Sequence, residues 1–534
     1  MRQQRGFNKA IAILGILLLL LVSLTISNVT AANDPIELME FSSFLGGTGD
    51  EHMDVSYAFG AAVTDSEGNI IVVGRTTSTD FPLKNAFQEN ISGYSDGTVS
   101  KFSPNGSLIF STYLGGLAQE VITDVVVDSE DNILVAGITG SADFPVLNAF
   151  KSNSTGVAEG SVDCFITKFS EDGQSLLFST LFGGTGNDWL YTMNIDSTGR
   201  IAFSGTTDST DFPLLNPRQD THTGGLDIFV SFMEADGQSM LFSTYLGTPG
   251  IDHGRRVAFD SLGNLYVTGM AGIGDLATDG AYLEEHGGGT ADAFLAKFNT
   301  TGGVEYLTFL GGDGTDWGND LAIDSEDNVV ITGFTTSDDF PIMNPYQDER
   351  VGYADLFMTK ITPDGQSLVF STYLGGSSPD YGNAITIDSQ DRIIVTGRTR
   401  SEDFPTTYPT GVIDSMHDNV SLVVLDKEGS LLLSMILGGE DNDVGISVVW
   451  YPEDSFILVG YTESTDFPIY EAYQESYGGE SDMFIMKLDL HDLLLNPEDG
   501  NGFTLGLLEG SIAIGIVVVI VALLIFIRRR SKGS

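Results

Sequence analysis

The chain has 534 residues, 42% of them hydrophobic, with 64 glycines and 16 prolines, so it can bury a large core and is not a disordered tail. Its 74 acidic and 24 basic residues give a formal charge of -50, which excludes a nucleic-acid-binding protein because phosphate binding needs lysine and arginine. The single cysteine, Cys164, cannot form an intramolecular disulfide, so stability must come from packing. The acidity indicates a solvated surface, a saline habitat or cation binding.

Residues 1–32 have the order of a secretory signal peptide. Basic residues precede an apolar run from Ala10 to Leu24, and small residues follow it up to Ala32. This order of charged, apolar and small residues is typical of export signals that are removed from the mature protein. The sequence predicts cleavage near Ala31 or Ala32.

The middle of the chain repeats one motif about every 64 residues. The motif reads S-T-D-F-P at residues 78–82 and returns six times, the fourth copy having lost its Phe and Pro. Its aspartates are Asp80, Asp143, Asp211, Asp275, Asp339, Asp403 and Asp466. Self-similarity at a fixed long period is the mark of a repeat architecture, so residues 38–489 are predicted to hold seven units of one kind.

Each unit is predicted to form four antiparallel strands, which we name a to d in chain order. In residues 319–376, short β-branched or aromatic runs alternate with clusters of Gly, Asp, Asn and Pro, and no helical period appears. The d-strand pattern F-S-T-Y-L-G-G also opens the mature chain at Phe41 to Gly47, whereas the last unit ends at Met483 to Leu488 without a strand d. The N-terminal strand is therefore expected to complete the last unit and close a ring, a seven-bladed β-propeller.

Four motifs carry a family resemblance: L-x-F-S-T-Y-L-G-G, D-S-x-G-N followed by I-x-V-x-G, T-x-S-x-D-F-P and D-x-F-x-x-K-F. With them the chain resembles the seven-bladed β-propeller (SBBP) repeat proteins of bacterial and archaeal surfaces over residues 38–489. The resemblance implies an all-β fold and little about activity, because fold does not carry function. The fourth unit departs from the pattern at Leu276 and Ala277, and the sixth lacks the strand-c Phe near Asp418, so their loops are expected to differ.

The C-terminus predicts a membrane anchor. After a linker at residues 490–510, Ser511 to Ile527 is an uncharged run close to the roughly 17 to 25 residues that span a bilayer. Basic residues dominate the tail at residues 528–534 and are expected to stay cytoplasmic. The sequence therefore predicts a single-pass type I protein of the cell membrane, with the propeller extracellular.

The loops between strands b and c and between d and a are expected to run to about ten or twenty residues and to share one face of the ring, which we call the long-loop face. Three sets of acids recur in seven-fold register on this face. The first set follows each G-G pair: Glu51, Glu120, Asp188, Asp252, Asp316, Asp380 and Asp443. The second set is the seven D-F-P aspartates. The third set begins each strand c: Asp96, Asp163, Asp227, Asp292, Asp355, Asp418 and Asp482.

The first set is the candidate metal site, with Ca²⁺ as the candidate cofactor. Carboxylates that converge at a channel mouth repel one another unless they are solvated or neutralised, and Ca²⁺ prefers oxygen ligands. The alternative, for all three sets, is that the acids accept backbone N–H bonds and fix turns.

The sequence favours a non-catalytic binding or adhesion module that presents its long-loop face to an extracellular glycan, envelope polymer or protein. Trp189, Trp317, Tyr381, Tyr191 and Tyr94 lie in or near the long loops and could stack on sugars. No residue is assigned a catalytic role. The alternatives are an extracellular hydrolase or lyase acting on a polysaccharide, which would need one or two blades to break the symmetry, and a structural surface-layer component.

Overall fold

The computed structural model describes residues 39–51, 61–154, 160–408, 415–452 and 454–490. The predicted signal peptide, linker, membrane helix at residues 511–527 and basic tail lie outside these residues. Within the described ranges, no helix is both long enough and apolar enough to cross a membrane.

The described residues form 28 strands in seven four-stranded antiparallel sheets, which we number as blades 1 to 7. Blades 1 to 3 contain β2 (Ala62–Thr64), β3 (Ile70–Thr76), β4 (Asp96–Phe102), β5 (Leu108–Leu114); β6 (Glu120–Val127), β7 (Ile133–Thr139), β8 (Asp163–Phe169), β9 (Leu176–Phe182); β10 (Asp188–Ile195), β11 (Ile201–Thr207), β12 (Asp227–Met233), β13 (Met240–Leu246). Blades 4 to 6 contain β14 (His253–Phe259), β15 (Leu265–Gly272), β16 (Ala291–Phe298), β17 (Val304–Leu310); β18 (Asp316–Ile323), β19 (Val329–Thr335), β20 (Asp355–Ile361), β21 (Leu368–Leu374); β22 (Asp380–Ile387), β23 (Ile393–Thr399), β24 (Asn419–Leu425), β25 (Leu431–Leu437). Blade 7 contains β26 (Asp443–Tyr451), β27 (Ser455–Thr462), β28 (Asp482–Asp489) and the N-terminal β1 (Met39–Leu45).

Ring closure by the N-terminal strand is confirmed. β1 pairs antiparallel with β28, and the order of the last sheet is β1-β28-β27-β26. Phe41, Phe44 and Leu45 of β1 are almost completely buried. The first strand therefore supplies the missing strand d and a share of the core on both of its faces.

The repeat motifs hold the tight turns of the blades. In the a–b turn of blade 1, Asp65 Oδ1 accepts the N–H groups of Glu67 and Asn69 at 3.0 and 2.8 Å, and Gly68 takes the positive φ that this turn requires. Lys101, the lysine of D-x-F-x-x-K-F, reaches from strand c to Asp65 at 2.8 Å. The aspartate of D-S-x-G-N and the lysine of D-x-F-x-x-K-F thus stabilise the same turn.

The Phe of D-F-P is a core residue rather than part of a surface site. Phe81, Phe144, Phe212, Phe340, Phe404 and Phe467 are each no more than 4% exposed. Leu276, which replaces this Phe in the fourth unit, is also 4% exposed and packs in the same way. The motif therefore folds the b–c loop back onto its blade in the fourth unit as well.

The b–c loops also cover the outer edges of the blades. Residues that follow D-F-P bridge to the middle of strand d, as in Lys84 with Ser111 and Met343 with Ser371. This pairing blunts strand edges that would otherwise invite association. The d–a connections are shorter than the sequence suggested: residues 115–119 alone join β5 to β6.

The a strands are innermost, because those of consecutive blades contact one another around a central channel. Side-chain amides link them. Asn319 Nδ2 donates to the Gly382 carbonyl of the next blade, and Asn383 Nδ2 donates to Gly445, both at 2.8 Å. These bonds fix the register between blades 5 and 6 and between blades 6 and 7.

Candidate functional site

The first-set acids are buried at the start of strand a and hold the adjoining loops. Asp188 accepts hydrogen bonds from the Gly184 N–H at 2.7 Å, the Thr207 hydroxyl at 2.5 Å and the Ser209 hydroxyl at 3.0 Å. The same kinds of donor serve Glu51, Glu120, Asp316, Asp380 and Asp443. In blade 4, Asp252 uses Thr248 and the Gly272 N–H instead. The Thr and Ser of T-x-S-x-D-F-P are thus the donors to this acid.

The second-set aspartates fix the d–a loop from outside. Asp80 Oδ1 accepts the Thr48 N–H at 2.9 Å, and Asp403 Oδ1 accepts the Ser377 N–H at 2.7 Å. Asp143, Asp211, Asp339 and Asp466 make the equivalent bond. These six acids fix turns, as the alternative interpretation of the sequence held.

The third set holds the end of the b–c loop, and one assignment in it was wrong. Asp355 accepts the N–H groups of Val351 and Gly352, both at 3.0 Å. In blade 6 the equivalent residue is Asn419, which pairs with Thr399 as Asp355 pairs with Thr335. Asp418 lies one position earlier, because the acid was aligned by residue type and not by strand register.

First-set and third-set acids face each other across every blade junction except the one between blades 6 and 7. A methyl group placed at Gly183 would lie 2.6 Å from both Asp163 Oδ1 and Asp188 Oδ2. The two oxygens are therefore at most about 5 Å apart, within the ~4–6 Å over which like charges raise a pKa. Between blades 6 and 7 the pair is Asn419 and Asp443, on either side of Gly438.

Burial is the main reason that these acids are hard to ionise. Burial, with a smaller contribution from the neighbouring Asp163, raises the pKa of Asp188 to about 7. Burial also raises the pKa of Asp482 to about 7, with Glu51 adding repulsion. Each first-set acid lies beside a third-set acid, except Asp443, which lies beside Asn419.

This geometry replaces the converging ring of acids that the sequence suggested with separate pairs between blades. Among the described residues, no group of three or more His, Cys, Asp or Glu side chains could hold a metal ion. The Ca²⁺ site at the first set stays a prediction, and its place would be between paired carboxyl groups.

A charged contact that the sequence did not reveal crosses the channel. Arg256, on strand a of blade 4, contacts Asp124 of blade 2 at 3.4 Å and Asp320 of blade 5 at 3.1 Å. Burial raises the pKa of Asp320 to about 6, although Arg256 acts in the opposite direction. The sequence does contain a signal for this contact. Four residues after the first-set acid, blade 4 has a base, whereas blades 2, 3, 5, 6 and 7 do not.

Above this contact lies a ring of side chains that we call the channel-mouth belt. It contains, in each of blades 2 to 7, the residue after the first-set acid and its partner after the strand-b glycine. In blades 2 to 7 these are Val121 and Ile138, Trp189 and Thr206, His253 and Met270, Trp317 and Phe334, Tyr381 and Arg398, Val444 and Tyr461. Unlike the acids, this pair has a different composition in each of these blades.

The belt forms a continuous aromatic run across blades 4 to 6. His253 stacks on Trp317 with ring centroids 5.7 Å apart, and Trp317 stacks on Phe334 at the same distance. Phe334 meets Tyr381 edge to face at 4.9 Å, and the Arg398 guanidinium lies 4.5 Å from the Tyr381 ring centroid. Trp317 and Tyr381, expected in or near the long loops, are therefore strand residues of the channel mouth.

The opposite, short-turn face has clefts of another kind. A cleft of about 590 Å³ lies between the a–b turns of blades 3 and 4. Its acids are already paired: Asp196 with Arg200 at 2.6 Å and Asp260 with Lys297 at 3.4 Å. The aromatic run of blades 4 to 6 has no counterpart among the residues that line this cleft.

Comparisons with known proteins agree with this architecture. The family model of the SBBP beta-propeller repeat matches residues 241–277 and 369–405, each running from a strand d into the next blade. An uncharacterized WD repeat-containing protein of Acanthamoeba polyphaga mimivirus is 22% identical over 452 residues; the match covers 77% of this chain, and the chain spans only 30% of that protein.

The chain is also similar to solved structures at low sequence identity. An ulvan lyase, a polysaccharide lyase, shares 10% identity over 83% of this chain and 94% of its own, with a TM-score of 0.43. BamB from Moraxella catarrhalis shares 10% identity over 84% of this chain and 98% of its own, with a TM-score of 0.33. Two stretches of the chain thus match the SBBP repeat, and the described residues form a seven-bladed β-propeller of four-stranded blades.

Proposed function

We propose that the protein is a membrane-anchored extracellular propeller that binds a glycan at the channel-mouth belt and catalyses no reaction. One observation carries this proposal: the acids of the long-loop face are nearly equivalent from blade to blade and hold loops, whereas the belt differs in each of blades 2 to 7. Positions that hold the ring must repeat in every blade. Positions that vary from blade to blade, and that are aromatic across blades 4 to 6, are free to serve a ligand.

The belt has the chemistry of a saccharide site. Trp317, Phe334 and Tyr381 are half-buried, so each keeps part of its ring accessible at a concave channel mouth. Aromatic rings stack on the apolar faces of sugar rings, and concave sites with a few polar groups are the usual ligand sites. An envelope polymer or a protein is the other class of partner that such a surface fits.

The remaining parts of the proposal concern location. The signal peptide at residues 1–32, the helix at residues 511–527 and the basic tail would place the propeller outside the cell on a single membrane span. Protease added to intact cells should remove the propeller and leave a small C-terminal fragment in the membrane. Protection of the propeller in intact cells would reverse the orientation.

A hydrolase or lyase acting on a polysaccharide is the second candidate, favoured by Tyr381 beside Arg398 and by His253 in the same run. Burial raises the pKa of Tyr381, and burial lowers the pKa of His253 to about 3. Neither pKa is matched to proton transfer near neutral pH, which argues for binding. A purely structural surface-layer role is the third candidate and would require no ligand at the belt.

The test is a glycan and protein array probed with the full-length chain in detergent. We expect glycan binding that Trp317→Ala abolishes. Leu262→Ala is the control, because Leu262 is 75% exposed on the short-turn face. Binding that survives Trp317→Ala would remove the belt from the proposal, and shortening of the bound glycan would show an enzyme.

A further inference from the structure

Blade 6 departs from the other blades at the end of the aromatic run. Arg398 Nη1 contacts Asp418 Oδ2 at 3.2 Å, and Arg400 contacts the same carboxylate through Nε at 2.8 Å and Nη2 at 3.1 Å. Two guanidinium groups therefore share one carboxylate. The Arg400 side chain remains 43% exposed, and Asp418 engages only part of its N–H donors.

The other blades show how unusual this corner is. The residue equivalent to Arg400 is normally neutral or acidic, as with Thr77, Thr336, Asp208 and Glu463. The equivalent of the third-set acid is the neutral Asn419. At this corner blade 6 has two bases, Arg398 and Arg400, and one acid, Asp418, although the chain has a formal charge of -50. The same corner of blade 3 has two acids, Asp208 and Asp227, and no base.

Two tyrosines border these arginines. Tyr381 lies under Arg398, and Tyr353, from the b–c loop of blade 5, is 74% exposed. Tyr353 lies beside the loop that leads into Tyr381, because a methyl group at the preceding Gly352 would lie 2.4 Å from the Ser378 carbonyl oxygen. We call the group formed by Tyr353, Tyr381, Arg398 and Arg400 the blade 6 corner.

We propose that the blade 6 corner binds the acidic sugar of a saccharide, with its ring against Tyr353 and Tyr381 and its carboxylate or sulfate on Arg398 and Arg400. This deepens the proposed function and rests on it. Arginine presents a planar fork of donors that matches carboxylate and sulfate oxygens, and hydrogen bonds between charged groups are about twice as strong as neutral ones. Asp418 holds the two arginines in place and leaves a net positive charge for the ligand.

Blade 1 provides matched controls. Arg75 occupies the position of Arg398, but its guanidinium has its own carboxylate, Asp50, at 2.6 Å. Tyr94 occupies the position of Tyr353 and is 76% exposed, but the neighbouring blade 2 presents Val121 and Ile138 instead of Tyr and Arg. Changes at Arg75 and Tyr94 should therefore not affect binding at the blade 6 corner.

The experiment measures binding of the full-length chain in detergent to oligogalacturonate, dextran sulfate, neutral maltodextrin and polyglutamate. We expect oligogalacturonate or dextran sulfate to bind, and which of them binds identifies the anionic group. Arg398→Gln and Arg400→Gln should each weaken that binding about tenfold or more, and Tyr353→Ala should also weaken it. Arg75→Gln and Tyr94→Ala should leave it unchanged, and added salt should reduce it.

Three results would overturn the proposal. They are equal binding of maltodextrin, equal binding of polyglutamate, and a loss with Arg75→Gln as large as with Arg400→Gln. If a glycan on the array binds in a manner that needs Trp317 but not Arg398 or Arg400, the corner fails while the proposed function stands. If no glycan binds the full-length chain, both fail.

Discussion

The buried acids and the channel-mouth belt occupy adjoining positions at the same end of the ring, yet they behave oppositely along the repeat. Asp316 and Asp380 are the same residue type in the same contacts, whereas the next residues, Trp317 and Tyr381, are not. In a repeat protein each blade is an internal control for the others. The comparison separates the residues that stabilise the ring from the residues that the ring makes available to a ligand.

The largest effect should come from breaking the ring itself. Deleting residues 39–47 removes β1 and with it the buried Met39, Phe41, Phe44 and Leu45. At about 1.5–3 kcal/mol for each buried side chain, the loss is roughly 6–12 kcal/mol and leaves β28 with a free edge. Thermal melting measures it, with deletion of residues 33–37 as the control. An unchanged melting temperature would mean that β1 does not close the ring.

A smaller loss in the free energy of unfolding should follow from removing one of the buried first-set acids. Asp188→Ala leaves the Gly184 N–H and the hydroxyl groups of Thr207 and Ser209 without their acceptor. Unsatisfied buried donors cost about 1–3 kcal/mol each, and the hydroxyls can turn to other acceptors, so we expect roughly 3 kcal/mol. Denaturant unfolding checks this value. A loss below 1 kcal/mol would contradict the loop-holding role.

The sequence predicted the fold almost completely, because the period, the turn residues and the displaced strand d of β1 are all local patterns. It also found the three sets of acids. It did not predict that Asp188 faces Asp163 rather than the channel, because this depends on how two blades pack. Arg256 and Phe334 were missed for the same reason: their partners come from other strands and blades.

Cation binding by the paired acids is the next smaller effect. If Ca²⁺ bridges the carboxyl pairs, binding to the folded state alone should add about 2.7 kcal/mol at a hundredfold excess over the dissociation constant. The melting temperature should then rise with Ca²⁺ and fall with chelator at pH 8. Asp188→Asn combined with Asp316→Asn should blunt the response. A melting curve that chelator leaves unmoved at low ionic strength would end the Ca²⁺ hypothesis.

The pH dependence of stability tests whether the pairs hold protons. Burial raises the pKa of Asp188, Asp380 and Asp482 to about 7, from an ordinary value of 3.8. Their contribution is therefore complete below about pH 4 and is lost as the pH rises through 7. Carboxylates such as Asp65, whose pKa Lys101 helps to lower, act in the opposite sense below pH 4. Stability should therefore be greatest near pH 4 and fall as the pH rises toward 7.

The junction between blades 6 and 7 makes this test specific. Asn419→Asp would create a further carboxyl pair with Asp443 and should steepen the fall by up to about 1.4 kcal/mol per pH unit. Asp482→Asn removes a carboxyl from the Glu51 pair and should make the fall shallower. Melting temperatures from pH 4 to pH 8 measure both changes. Identical slopes in the two variants would mean that the pairs do not share protons.

The smallest effect on stability should come from the surface that the ring presents. Tyr353 is 74% exposed and follows Gly352, whose N–H is held by Asp355, so the loop does not depend on the tyrosine ring. Tyr353→Ala should therefore change the free energy of unfolding by no more than about 0.5 kcal/mol, as at other exposed positions. Asp355→Ala, two residues away, should cost several times more, because Val351, Gly352 and Gln347 all donate to it. Denaturant unfolding of the two variants side by side measures the contrast. Equal losses would mean that Tyr353 holds the b–c loop as Asp355 does, and Tyr353 would then belong to the residues that stabilise the ring.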